Sequence, residues 1–258
     1  FSSFFVANWK LNGDFKFIDQ FIDNLKVPKD NFKDFYIDNG PEFGVLQGTK
    51  YAGYATHCVA CMNTLVRMTK PKSILEIGSY HFHSTKSMSK GMDEYLKEDE
   101  GFIHTFEIKK GGYDGLADTN GLPKRITQFF WYPYKTSYDQ WKMTDPNIAF
   151  PDFKNYDNEQ LSEKNSEILK GVAPEGGYDL IFIDGDHSYD GCKRDWRHAL
   201  EVSNIETLIV FDNIWDIRLH GVRLFFDSLE TEKWDFDEWN EENKALNMVQ
   251  DTGISMTY

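Results

Sequence analysis

Between residues 73 and 212 the chain repeats one pattern: a short apolar run, an acid at or near its end, then a stretch of helical period. The runs are Ser73-Ile74-Leu75-Glu76-Ile77-Gly78, Phe102 to Ile108, Tyr178 to Asp184 and Thr207 to Asp212. Runs this short, rich in Ile, Leu, Val and Phe and without polar alternation, suit parallel strands buried on both faces. Helices are predicted over Ser84–Leu96, Tyr189–Val202 and about Val222–Leu229. Strands alternating with helices build βαβ units with right-handed crossovers, so the expectation is an α/β fold: a mostly parallel sheet with helices on both faces.

The rest of the chain follows this rhythm less closely. Residues 14–26 read as an amphipathic helix through Ile18, Phe21, Ile22 and Leu25, and residues 52–69 as a second helix that stops before Pro71. Residues 1–54 therefore form an N-terminal helical extension, and 55–258 the main domain. The stretch 111–158 mixes Trp, Tyr, Pro, Asn and Asp and reads as an insertion or lid, with a strand inside Arg125–Tyr134. The tail from Ala245 reads as two short strands around Asp251-Thr252-Gly253.

Charge and cysteine usage exclude several partners. With 28 basic and 42 acidic residues the net charge is −14, which repels phosphate backbones and argues against nucleic acid. No run of about 18 apolar residues exists to span a membrane. The N-terminal residues lack the pattern of a secretory leader, and Cys58, Cys61 and Cys192 cannot all pair, so a reducing, cytoplasmic setting is expected. Cys58 and Cys61 form a C-x-x-C after His57, readable as a metal or redox pair. The spacing of Cys58, Met62, Leu65 and Val66 instead puts the cysteines on one helix face, and no second pair completes a four-ligand site.

The acids carry the chemistry. In an open parallel sheet, ligands bind outside the carboxyl ends of the strands. Glu76 with Gly78, Glu107, and Asp184 with Gly185 would converge there on one crevice. Glycine allows close backbone approach, and Glu107, about 30 residues after the glycine turn, can accept both hydroxyls of a ribose. The combination predicts a nucleoside site.

Three segments then carry a resemblance. KPKSILEIGSYHFHSTKSM (Lys70 to Met88) resembles the first motif of class I S-adenosylmethionine-dependent methyltransferases. EGGYDLIFIDGDHSYDGCKRDW (Glu175 to Trp196) resembles the fourth-strand motif of a branch that includes small-molecule and sugar O-methyltransferases and cephalosporin-hydroxylase-like proteins. LIVFDNIWDIRLHGVRLFFDSL (Leu208 to Leu229) is similar to its fifth strand and following helix. The resemblance spans roughly residues 55–108 and 160–258. It implies a Rossmann-like sheet of seven strands, the last antiparallel, and S-adenosyl-L-methionine held by Glu76, Gly78, Tyr80, Ser84, Glu107, Ser166 and Asp184. Ser166 enters because Asn165 to Leu169 is similar to the branch's adenine-side turn.

The first motif usually has a second glycine where this chain has Phe82. Either the loop takes a wider path, or cofactor binding is altered and the protein is a binding module without catalysis. The resemblance to cation-dependent members implies a Mg²⁺ site on Asp184, Asp212 and Asn213, with the alternative that Asp212 and Asn213 merely cap a loop. His187, where those members tend to have lysine, is the expected general base, with Asp184 beside it as a second catalytic residue; a structural loop histidine held by Asp186 is the alternative. The implied acceptor is a small molecule or sugar hydroxyl, and a homo-oligomer is compatible with the reading. Residues 5–13 resemble the first strand of triosephosphate isomerase, but none of that enzyme's downstream motifs follows, so the match is read as coincidence.

Overall fold

The structure is a computed structural model; it describes residues 62–63, 65–80, 82–109, 122–135, 147–212, 220–230, 233–235 and 255–257. The helix expected over 14–26, the Phe5–Gly13 segment, Cys58 and Cys61 lie outside these residues.

The described strands are β1 (Ser73–Ile77), β2 (Phe102–Glu107), β3 (Ile126–Phe130), β4 (Tyr178–Ile183), β5 (Ser203–Phe211), β6 (Lys233–Asp235) and β7 (Ser255–Thr257). They form one seven-stranded sheet in the order β3-β2-β1-β4-β5-β7-β6. β1 to β5 run parallel, and β7 is antiparallel to both its neighbours. Four α-helices are described: α1 (His83–Met92), α2 (Asn158–Val172), α3 (Tyr189–Glu201) and α4 (His220–Ser228). The Rossmann-like sheet of seven strands with a final antiparallel strand is thus present. β7 pairs on one side with β5 and on the other with Lys233–Asp235. The expected turn at Asp251–Gly253 and the strand before it lie outside the described residues.

Alternation along each strand explains the two faces. Ile74, Ile103, Leu180, Phe182, Leu208 and Val210 point to one face, under α1 and the helical residues before Pro71. Leu75, Ile77, Phe106, Ile181, Ile183, Ile209 and Phe211 point to the other, under α2, α3 and α4. Successive side chains leave a strand on opposite sides, so an unbroken apolar run fills both layers at once. Burying a side chain of this kind stabilises by about 1.5–3 kcal/mol.

α2 is the largest departure from the sequence reading. Asp157 caps it, with Gln160 returning the bond in a reciprocal capping box. Leu161, Asn165 and Leu169 recur every four residues along its buried side. β3 also belongs to the sheet rather than standing apart in the stretch read as an insertion.

Candidate active site

The register brings the carboxyl ends of four strands level. Ile77 lies opposite both Phe106 and Ile183, and Ile183 opposite Phe211. Pairing runs one residue further: the Gly78 amide donates to the Phe106 carbonyl at 2.9 Å, Asp184 to Ile77 at 2.8 Å and Asp212 to Ile183 at 3.1 Å. Glu107, Gly78, Asp184 and Asp212 therefore occupy neighbouring positions along one sheet edge. Gly78 is required there by the fold itself. Its φ is +96°, and a Cβ would stand 2.0 Å from the Asp184 carbonyl oxygen. Its missing side chain lets β1 and β4 close on each other, a different reason from the ligand approach expected of it.

Glu107 holds the loop after β1. One carboxylate oxygen accepts the Tyr80 amide at 2.8 Å, the other the Ile108 amide at 2.7 Å. A carboxylate oxygen has two acceptor sites, so each keeps one for a further donor such as a ribose hydroxyl. Tyr80, with φ at 42°, is 44% exposed. Phe82 begins α1 in the left-handed region, φ 61° and ψ 23°, with its side chain only 1% exposed. The position expected to carry glycine keeps a glycine-like backbone although it holds phenylalanine, and its ring is covered by the protein.

Glu76 does not reach the crevice as expected. It has no exposed surface. Its Oε1 accepts from Ser84 at 2.5 Å, and its Oε2 from Thr85 and from Thr105, the latter at 2.5 Å. Burial pushes its pKa from 4.5 up to about 7, against the pull of those three hydroxyls. Glu76 thus fastens the first turn of α1 to β1 and β2, and the Ser84 hydroxyl is committed to it. Ser166 also departs from its expected place. It lies within α2, and its hydroxyl donates to Glu201 at the end of α3, in the helix layer rather than at the sheet edge. The neighbouring Asn165 holds the backbone after β3 instead, accepting from the Tyr132 amide at 2.7 Å and donating to its carbonyl at 3.0 Å.

The turn after β4 assembles the remaining pair. His187 Nε2 stands 3.2 Å from Asp184 Oδ1, both side chains about one-fifth exposed. Asp186 accepts the Ser188 amide at 2.8 Å, and Ser188 caps α3 by accepting from the Gly191 amide. Asp184 thus lies within hydrogen-bonding reach of the imidazole. His81 and Asn213 lie outside the described residues. Asp212 is buried at the end of β5, and no group of three metal-binding acids, histidines or cysteines occurs among the described residues.

A family model described as a methyltransferase domain matches residues 75–214, from the middle of β1 to just past β5. The chain belongs to this methyltransferase family. The match contains Glu76, Glu107, Asp184, His187 and Asp212, so the whole sheet edge described above lies within the methyltransferase domain. Among solved structures, the O-methyltransferase from Bacillus cereus, in complex with SAH, is 17% identical over 93% of this chain and 96% of its own, with a TM-score of 0.49. TomG, the O-methyltransferase from Streptomyces achromogenes involved in tomaymycin synthesis, in complex with SAM, is 15% identical over 93% and 94%, also at 0.49. No curated protein matches the sequence. No helix among the described residues is long and apolar enough to cross a membrane.

Sequence reasoning missed Thr85, Thr105 and Asn165 as supports of the site. Asn165 alone left a trace, the four-residue spacing with Leu161 and Leu169 behind the Asp157 and Gln160 cap. Thr105 meets Glu76 across 29 positions of chain, a separation no local pattern reports.

Proposed function

We propose that this methyltransferase uses S-adenosylmethionine to methylate a hydroxyl of a small molecule or sugar, with His187 as general base and Asp184 as its orienting acid. The supporting observation is the His187–Asp184 pair one strand-position from Gly78 on the edge that also carries Glu107. The bound cofactor supplies a sulfonium methyl group that an oxygen attacks in line. Glu107 binds the ribose through its remaining acceptor sites, and the exposed Tyr80 is tied to it through its amide. Gly78 and Asp184 complete the cofactor side. Glu76 and Ser84 act from beneath by fixing the loop, and Ser166 acts only through the helix layer. Asp184, in contact with the imidazole, stabilises the charge that His187 gains on taking the acceptor's proton. Methyl transfer to an alkoxide neutralises charge, so alignment at about 3 Å and a deprotonated oxygen are the main requirements.

A Mg²⁺ ion belongs to the same proposal. Asp184 and Asp212 follow adjacent strands and offer the hard oxygen donors this cation prefers. Asp184 would be shared between the cation and His187; Asn213 is the third proposed ligand. When bound, the cation would hold a substrate oxygen and make it more acidic.

Calorimetric titration with S-adenosylhomocysteine, followed by transfer of labelled methyl groups to a panel of catechols and sugars, tests the proposal. Binding with turnover on a hydroxyl acceptor is expected. Binding without turnover on any acceptor favours a binding module; no binding removes the cofactor assignment, as expected if Phe82 closes its site.

A further inference from the structure

We propose that Gly221 on α4 is a positioning residue for the His187–Asp184 pair, acting by letting the helix seat directly on the backbone of the His187 turn. The inference rests on the role proposed for His187 above. A Cβ at Gly221 would stand 2.4 Å from the Tyr189 nitrogen, 2.5 Å from the His187 carbonyl oxygen and 2.6 Å from the Ser188 carbonyl carbon. All three are backbone atoms, which cannot swing aside as a side-chain tip does. Contact continues along the same face of α4. Phe225, four residues on, meets the Tyr189 ring edge-on at 5.8 Å between centroids, and Ser228 accepts from the Tyr189 hydroxyl at 3.4 Å. Spacings of four and three place Gly221, Phe225 and Ser228 on one helix face, so this face docks on residues 187–189.

The two members of the pair are anchored differently. Asp184 is tied to the sheet by the hydrogen bond its backbone N–H donates to the Ile77 carbonyl. His187 sits in the turn, whose depth is set by α4 on one side and by the bonds to Asp186 and Ser188 on the other. A methyl group at position 221 must push the turn while leaving Asp184 in place. The displacement therefore falls on the 3.2 Å contact.

Gly221→Ala is compared with wild type by crystallography and by kinetics, with Gly171→Ala as control because a Cβ there meets nothing within 4 Å. The expected result is a His187–Asp184 separation beyond hydrogen-bonding range. Turnover should fall about 100-fold, as a displacement near 1 Å can produce. The KM for cofactor and the affinity for S-adenosylhomocysteine should stay as in wild type. A Gly221→Ala protein with the wild-type separation and wild-type kcat overturns the proposal. If the wild-type protein transfers no methyl group, the functional reading fails while the crystallographic distance still decides this one. Should Gly221→Ala not fold, Phe225→Leu withdraws the ring beneath Tyr189 without adding an atom. It is expected to lower kcat at unchanged cofactor KM, and wild-type kcat in it also overturns the proposal.

Discussion

His187 Nε2 lies 3.2 Å from Asp184 Oδ1, and the acid of this pair is held to β1 through its own backbone amide. The sheet therefore fixes the direction in which the imidazole is held. Replacing His187 by Asn removes the proton acceptor and leaves the strand ends intact. Turnover should fall by about 10²- to 10⁴-fold, the usual worth of a positioned general base, with cofactor affinity unchanged. Steady-state kinetics beside a binding titration check this; equal losses in both would mean that His187 supports the cofactor rather than the acceptor.

Glu107 makes the complementary prediction. Its carboxylate ties the Tyr80 amide and keeps acceptor capacity for a diol. Glu107→Ala removes both functions, and hydrogen bonds to a charged group are worth about 1.5–3 kcal/mol. S-adenosylhomocysteine should bind roughly 10- to 100-fold more weakly by calorimetry. Unaltered affinity would move the ribose elsewhere.

The strands and the helices after β1, β4 and β5 were legible because an apolar run closed by an acid reports both the buried element and its functional end. The same signal placed Glu107, Asp184 and Asp212 on one edge without any knowledge of register. It could not separate an acid facing the crevice from one facing a helix. Glu76 sits one residue before the end of β1, on the face beneath α1, and only the approach of Ser84, Thr85 and Thr105 reveals that it is a fastener. Ser166 departs from its expected place because the resemblance to a turn does not report the helix that Asp157 and Gln160 cap. The left-handed backbone at Tyr80 had no sequence signal, and at Phe82 only the glycine usual at that position of the resembling motif points to it.

Phe82 tests how that backbone is sustained. A non-glycine residue in the left-handed region costs about 1–2 kcal/mol, while full burial of a phenyl ring stabilises by about 1.5–3 kcal/mol. With the cavity left behind, removing a buried phenyl ring costs about 3–5 kcal/mol, more than the relieved strain returns, so Phe82→Gly should lower stability by about 2 kcal/mol. The shift of the urea midpoint measures it, and a more stable variant would mean that the ring contributes little packing.

Metal removal separates the two sources of a reactive oxygen. If a cation on Asp184 and Asp212 assists, dialysis against a chelator lowers turnover at least about tenfold, and added Mg²⁺ restores it. Affinity for S-adenosylhomocysteine should not change. Full turnover in chelator would leave the His187–Asp184 pair as the sole activating device.

Two buried groups on opposite faces of the sheet should give opposed pH dependences of stability. Burial raises Glu76 from 4.5 to about 7, so the folded state keeps a proton that the unfolded state releases. Stability from this group is greatest below pH 4.5 and declines as pH rises towards 7. His198 behaves inversely. Buried between α2 and α3, its Nε2 is 2.9 Å from the Tyr134 hydroxyl and 3.2 Å from that of Ser162. Burial lowers its pKa from 6.5 to about 4, partly opposed by Glu201. Its contribution is complete above pH 6.5 and is lost as pH falls towards 4, because the unfolded chain takes the proton first. Between pH 4.5 and 6.5 the two slopes therefore oppose each other. Glu76→Gln should uncover the histidine, leaving a protein that weakens towards acid. His198→Gln should uncover the glutamate, leaving one that weakens towards neutrality. Urea midpoints across that window read both slopes, and the same slope in the two variants would show that these residues do not govern the pH dependence.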